Sequence, residues 1–384
     1  MERKIYCLNK ISKVGLAVLP NSYKIVEEVE GSEAILVRSA AMHEMELPKS
    51  VQAVARAGAG VNNIPLDRFA SEGVVVFNTP GANANAVKEL TIAMMLLAAR
   101  DIRGSMEWVK ANKEDPEINK TMEKAKGAFA GTEILGKTLG VIGCGAIGAL
   151  VADAAMKLGM KVVGVEPSIA TRERNKELLL GVEFVELDEL LKRSDCITVH
   201  VPLLDATRGM INKDTLAKCK DGVIVINAAR DALINDDDMK EALASGKVRR
   251  YVTDFPNAKS ANTEGVVAIS HLGASTEEAE DNCAAMAARQ VVDYLENGNI
   301  VNSVNYPNLC LGPKASPRLV VLAQNSEDLF EKVADLLKKH RHKVSKFVSG
   351  AKGNFAAAIY ELDKVDDCVE EIKKLPGVIK VSSR

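Results

Sequence analysis

No stretch of this sequence is long and apolar enough to be a membrane helix, which needs about 18 to 20 such residues. The longest run, LTIAMMLLAA at 90–99, is cut off by Glu89 and Arg100 and reads as a buried helix. The N-terminus, MERKIYCLNKIS, carries charge where a signal peptide would be greasy, so no secretory leader is expected. Paired cysteine motifs are missing too. The seven cysteines, Cys7, Cys144, Cys196, Cys219, Cys283, Cys310 and Cys368, are odd in number and contain no CxxC. That argues against a disulfide framework and against a zinc site, and for a reducing cytoplasm. The five histidines form no HExxH pattern, so no metal is expected. Net charge is only −2, without a basic stripe or an acidic tail, so neither nucleic acid nor a disordered charged segment is expected. Internal repeats and low-complexity tracts are absent as well.

What remains is an ordinary globular composition, 47% hydrophobic and 27% charged, over 384 residues, enough for two or three domains. Up to about residue 100, short apolar runs such as AILVRS and VVVFN alternate with helical patterns and glycine turns, the signature of a parallel α/β sheet. A second block starts near Leu139. It runs through TLGVIGCGAIG, KVVGVEPS, CITVHVPL, GVIVINAA and VVAIS, alternating units that make a doubly wound sheet. The Pro-rich linker YPNLCLGPKASPR precedes a third block. There RLVVLAQ, SEDLFEKVADLLKKH, KVSKFVSG, FAAAIYEL, DDCVEEIKKL and VIKVSS read as βαββαβ, a ferredoxin-like unit.

Gly143-Cys144-Gly145-Ala146-Ile147-Gly148 is GxGxxG between a strand and a helix. The first glycine permits the turn, the second admits a diphosphate to the backbone, and the third lets helix and strand pack closely. The helix start offers free N–H groups to phosphates. Glu166 closes the next strand, where a carboxylate bonds the adenosine ribose and repels a 2′-phosphate, so NAD rather than NADP is predicted. Two further residues follow strands: Arg230 in NAARDALIN and His271 in ISHLGAST. A guanidinium grips a carboxylate bidentately, and an imidazole moves protons near neutral pH. Taken alone, such an arginine is most often a solvated surface group and such a histidine a structural one.

The segments RAGAGVNN (56–63), VFNTPGANANAVKEL (76–90), GKTLGVIGCGAIG (136–148), HVPLLDATRGMIN (200–212), INAARD (226–231) and SHLGASTEEA (270–279) shift that balance. In order and spacing they resemble the D-2-hydroxyacid dehydrogenase family over nearly the whole chain, and above all its branch that oxidises 3-phosphoglycerate. The resemblance implies a flavodoxin-like, doubly wound substrate domain formed by 1–99 and 282–310. It further implies an NAD-binding Rossmann domain at 100–281 and an ACT-like regulatory domain at 315–384. Arg230 would bind the substrate carboxylate and His271 act as general base. Asp254 would bond the nicotinamide carboxamide, with His200, Val201, Pro202 and Thr207 in the loop beside the ring. Gly58, Ala59 and Gly60 would offer N–H groups to the carboxylate, and Arg38, Ser39 and Asn83 would serve the substrate phosphate. A homodimer or homotetramer is implied, with serine as a ligand of the last block.

The chain departs from the family in two places. A glutamate that partners the histidine is expected a few residues after Asp254, but Lys259 stands there and Glu264 is the only glutamate before His271. Either Lys259 shares the acid/base or phosphate-binding work, or it is a solvated lysine and His271 works without a carboxylate. The first βα turn of the last block, LAQNSEDLF, lacks the histidine and Pro-Gly turn of serine-binding relatives and keeps only Asn325, so an oligomerisation role competes with serine regulation. Two rival activities share the motifs: a glyoxylate or hydroxypyruvate reductase, and a non-catalytic NAD-sensing scaffold.

Overall fold

Five short apolar runs build the first sheet: β1 (Arg3–Cys7), β2 (Tyr23–Val26), β3 (Ala34–Val37), β4 (Ala53–Arg56) and β5 (Val75–Phe77). All pair in parallel in the order β2-β1-β3-β4-β5, the flavodoxin-like winding. The computed structural model describes residues 2–365 and 368–384. Side chains alternate across this sheet, as strand geometry requires. Ile35, Val37, Val54 and Val76 enter one core, and Ala34, Leu36, Ala55 and Phe77 enter another.

The sheet's own connections supply little helix. Only Lys13–Leu16 and Leu66–Ser71 are helical before residue 84. The full complement of helices expected of a doubly wound domain is therefore not met from this block. The face carrying Leu36 and Phe77 is instead covered by the helix Glu277–Asn297 and by a second sheet from the end of the chain. Gly15 shows how close that cover lies: a Cβ there would stand 2.3 Å from the Cβ of Ala284.

The second sheet belongs to the last block: β13 (Arg318–Gln324), β14 (Val344–Lys352), β15 (Phe355–Leu362) and β16 (Val378–Ser383). It is antiparallel, ordered β14-β15-β13-β16, with helices at Leu329–Lys339 and Cys368–Lys373. Asp366 and Asp367, read as the start of the second helix, lie outside the described residues. Period-two alternation again divides the side chains. Leu319, Val321 and Tyr360 pack with Val333, Leu337 and Ile372, whereas Val320, Leu322, Ala357 and Ile359 join the core beneath β1–β5.

Polar ties reinforce this seam. Lys380 donates to the Val51 carbonyl (3.0 Å), Lys352 to Ser303 (2.8 Å) and Arg384 Nε to Tyr294 (3.0 Å). Arg318 is fully buried against Glu361 at 2.7 Å and donates to the carbonyls of Asn297 and Gly312, both at 2.8 Å. The linker is thus clamped rather than loose.

The middle of the chain forms a seven-stranded parallel sheet: β6 (Thr138–Ile142), β7 (Lys161–Val165), β8 (Glu183–Phe184), β9 (Cys196–Val199), β10 (Val223–Asn227), β11 (Val248–Thr253) and β12 (Val266–Ala268). Its order, β12-β11-β10-β9-β6-β7-β8, reverses direction between β6 and β9. Apolar cores lie on both faces. The chain divides into two compact units, Met1–Asn83 with Glu277–Arg384, and Ala84–Thr276. The sequence placed these breaks at 99/100 and 281/282. The helix Ala84–Ala99 falls in the middle unit because its Val87, Met94, Met95 and Ala98 share a core with Leu139, Val141 and Ala152. Each such buried Met or Val contributes roughly 1.5–3 kcal/mol.

Candidate active site

The crevice outside a strand-order reversal is where open α/β sheets bind ligands. In the middle unit this place is occupied by the glycine loop after β6 and the loop after β9. Gly143 has φ +90°, and a Cβ on it would sit 2.8 Å from the His200 carbonyl oxygen. At Gly148 a Cβ would come within 1.9 Å of the Gly143 oxygen, so the helix Ala146–Lys157 lies tight on its strand. Gly145 faces open space, with nothing within 4 Å of its Cβ position. No side chain caps the helix start, leaving the first N–H groups, Ala146 and Ile147 among them, for an anion. Glu166 reaches over this loop. Its carboxylate accepts from the Cys144 amide (3.1 Å) and the Ser168 amide (3.0 Å).

Across the reversal, His200 Nε2 lies 2.9 Å from Thr198 Oγ1, while its Nδ1 is buried without a partner. Burial pushes this imidazole down to about 4, so it stays neutral at physiological pH. Val201 packs toward Gly143. Thr207 fixes the loop, donating to the Pro202 carbonyl (2.6 Å) and accepting from the Leu204 amide (2.8 Å). An open glycine cradle, a carboxylate past β7 and orphaned buried polar atoms fit a dinucleotide.

Parallel register brings the candidate reacting groups together. Asn227, Thr253 and Ala268 are aligned on β10, β11 and β12, so the residues just beyond them share one sheet edge. Arg230, Phe255 and His271 are those residues. The Arg230 guanidinium lies 5.1 Å from the Phe255 ring centre, and the His271 ring centre lies 4.2 Å from it. Arg230 and His271 are both exposed. Buried Asn227 shapes the arginine's turn: its Oδ1 accepts the Ala229 amide (3.0 Å), and its Nδ2 donates to the Arg230 carbonyl (2.8 Å). Asp254 is also buried. One carboxylate oxygen takes the Gly273 amide (3.1 Å), tying down the histidine loop, and the other has no partner. Burial raises the Asp254 carboxyl, with His271, the Gly273 amide and Arg230 pulling the other way.

Lys259 lies at the surface of the middle unit. It is exposed, and its ammonium pairs with Asp237 at 2.7 Å, which raises its pKa. The short helix Ala258–Ala261, closed by an Asn257 capping box, holds it there. This surface ion pair agrees with the second of the two readings of Lys259, a solvated lysine. Glu264 lies in the turn before β12, whereas His271 follows the strand's end, and among the described residues no carboxylate forms an ion pair with the His271 ring. Sequence reasoning missed Phe255 and Asn227. The aromatic directly after Asp254, and the asparagine that ends β10 three residues before Arg230, were the available signals.

The first unit carries its own candidates. Gly58 has φ +155°, and the Arg56 guanidinium fills the space of its missing side chain, 2.5 Å from the Cβ position. The carbonyls of Gly58 and Ala59 accept from the Thr79 amide (3.1 Å) and Asn78 Nδ2 (2.6 Å). These two bonds fix the backbone of the loop that holds Gly58, Ala59 and Gly60. Ser39 Oγ accepts from Asn9 (3.2 Å), and Arg38 pairs with Glu280 at 2.7 Å. Asn83 is partly exposed at the end of this unit. Among the described residues no cluster of His, Cys, Asp or Glu could hold a metal, and no helix is long and apolar enough to cross a membrane.

A glycine cradle at the reversal of a Rossmann sheet, with an arginine and a histidine at the same sheet edge, defines a nicotinamide-dependent oxidoreductase. Comparison with known proteins narrows the class. The family model "D-isomer specific 2-hydroxyacid dehydrogenase, NAD binding domain" matches residues 92–273. A hydroxypyruvate reductase of Thermotoga maritima is 39% identical over 269 residues, 67% of this chain and 82% of that protein. A D-3-phosphoglycerate dehydrogenase of Methanocaldococcus jannaschii is 34% identical over 318 residues, 80% of this chain but only 58% of that longer protein. The NAD-bound 3-phosphoglycerate dehydrogenase of Entamoeba histolytica superposes with a TM-score of 0.62 at 27% identity, covering 80% of this chain and all of that one. The chain belongs to the D-isomer specific 2-hydroxyacid dehydrogenase family. It is an NAD-dependent enzyme.

Proposed function

We propose that this enzyme oxidises 3-phospho-D-glycerate to 3-phosphohydroxypyruvate, the entry to serine biosynthesis. The observation that carries the chemistry is the placement of Arg230 and His271 on either contact of Phe255 at one sheet edge. Arg230 pairs with the substrate carboxylate. His271 takes the hydroxyl proton as the C2–H bond breaks. Bound NAD supplies the acceptor for the hydride, giving NADH and one proton overall. Glu166 presents a negative charge where NADP would carry its extra phosphate. The Ala59 and Gly60 amides assist at the carboxylate, and Arg38, Ser39 and Asn83 are assigned to the phosphate.

The test is initial-rate NADH formation from 3-phosphoglycerate, D-glycerate and 2-hydroxyglutarate. A higher kcat/KM for the phosphorylated acid is expected, and a preference for D-glycerate would overturn the assignment. The reductase relative at 39% identity supports a second reading, glyoxylate or hydroxypyruvate reduction, which the same enzyme tests with NADH in the reverse direction.

The last block has the element order of an ACT-like domain. Asn325, the residue suggested for serine, donates its side-chain amide to the Gly353 carbonyl at 3.1 Å, in the turn between β14 and β15. We therefore read this block first as a packing layer and second as a serine sensor. Absence of inhibition by millimolar serine would remove the second role. A cytoplasmic homodimer or homotetramer completes the reading, with sedimentation as its check.

A further inference from the structure

Arg38 stands just past β3 with its backbone fixed on both sides. Its N–H donates to Asn9 Oδ1 (2.9 Å), and its carbonyl accepts from Arg56 Nε (3.0 Å). Its guanidinium is already engaged, 2.7 Å from the Glu280 carboxylate, and both side chains are about 40% exposed (38% and 40%). Glu280 is held in that position. It lies in the first turn of the helix Glu277–Asn297, and its neighbour Asp281 accepts a hydrogen bond from Ser12. The same helix packs through Cys283 and Ala284 into the core beneath β3 and β4. An anion anchored by its helix therefore occupies the cation assigned to the substrate phosphate.

We propose that Glu280 is an internal competitor for Arg38, displaced only by a group more anionic than a carboxylate, and that it sets how tightly this enzyme holds phosphorylated substrate. The inference rests on the phosphate role assigned to Arg38. A half-exposed ion pair is weak enough to be exchanged. A phosphate group carries about −1.5 to −2 charge and three acceptor oxygens, so it can replace the carboxylate on the guanidinium with a net electrostatic gain. A neutral hydroxymethyl group offers no such gain and leaves the pair closed.

The experiment is calorimetric titration of 3-phosphoglycerate, D-glycerate and inorganic phosphate into the full chain. It compares wild type, Glu280→Gln, Glu280→Ala, Arg38→Ala and the double variant Arg38→Ala/Glu280→Gln. Both Glu280 variants are expected to bind the two phosphate ligands about 1.5- to 5-fold more tightly, the range that exposed pairs span. The gain should vanish when Arg38 is absent. Unchanged or weaker binding in both Glu280 variants, at an unaltered Tm, would overturn the inference. So would a gain that persists without Arg38, since it would then be a general charge effect. If wild type prefers D-glycerate to 3-phosphoglycerate while inorganic phosphate still shows the Arg38-dependent gain, the substrate assignment fails and the role of Glu280 stands.

Discussion

The middle unit is one continuous stretch, Ala84–Thr276, whereas the first unit joins Met1–Asn83 to Glu277–Arg384. In the middle unit six of the seven strands are followed by candidate site residues: Gly143 after β6, Glu166 after β7, His200 after β9, Arg230 after β10, Asp254 after β11 and His271 after β12. Local sequence and parallel register are enough to collect them at one edge. In the first unit, a five-stranded sheet with two short helices of its own borrows its cover from residues more than 190 positions away. The cofactor side is thus specified locally, and the N-terminal sheet non-locally.

That contrast can be broken most severely by deleting residues 315–384. Removing the antiparallel sheet exposes the Leu36 and Phe77 face, so the truncated chain is expected to lose cooperative folding of the first unit. Limited proteolysis should then cut within residues 1–83 first. A truncated protein with wild-type Tm and protease resistance would make the last block a mere appendage. On the other side of the comparison, His271→Ala should lower kcat by roughly 10²- to 10⁴-fold, the usual contribution of a general base. NAD affinity measured by fluorescence titration should remain, because the cradle lies at other strands; loss of NAD binding instead would mean that His271 supports the fold.

The linker clamp gives a third test. Arg318→Met removes the buried partner of Glu361 and leaves it only the half-exposed Lys346 at 3.7 Å, a cost toward the lower end of roughly 3–5 kcal/mol. Arg318→Met/Glu361→Leu should recover most of that stability in denaturant unfolding, and a double variant no better than the single would show that the carbonyl contacts dominate. The smallest effect is expected at Lys259. Lys259→Ala removes one exposed pair with Asp237 and should leave kcat and KM within about twofold of wild type, as surface ion pairs contribute little. A tenfold fall in kcat would restore the lysine to the mechanism.

These regions also differ in what could be read from residues alone. The glycine loop, Glu166 and the strand-end positions of Arg230 and His271 were legible because each depends on a turn or a strand end that local sequence dictates. The βαββαβ order of the last block was legible for the same reason, since period-two and helical patterns alternate there without ambiguity. Phe255 was overlooked because an aromatic after a strand looks like core until a neighbouring strand brings a histidine to its face. Lys259 was left open between two readings because spacing along the chain says nothing of Asp237, 22 residues earlier.

The family resemblance implied the roles proposed for Arg230 and His271; by itself the sequence determined the parallel sheets, the dinucleotide cradle and the strand-end positions of that pair. These follow from hydrophobic period, glycine geometry and side-chain chemistry, which act over a few residues. Only the tertiary structure decided which layer covers β1–β5, that Arg38 is already held by Glu280, and that His271 rests on Phe255 with no carboxylate ion-paired to it among the described residues. Those are contacts between segments far apart in the chain. Burial, register and charge select them only once the whole chain has packed.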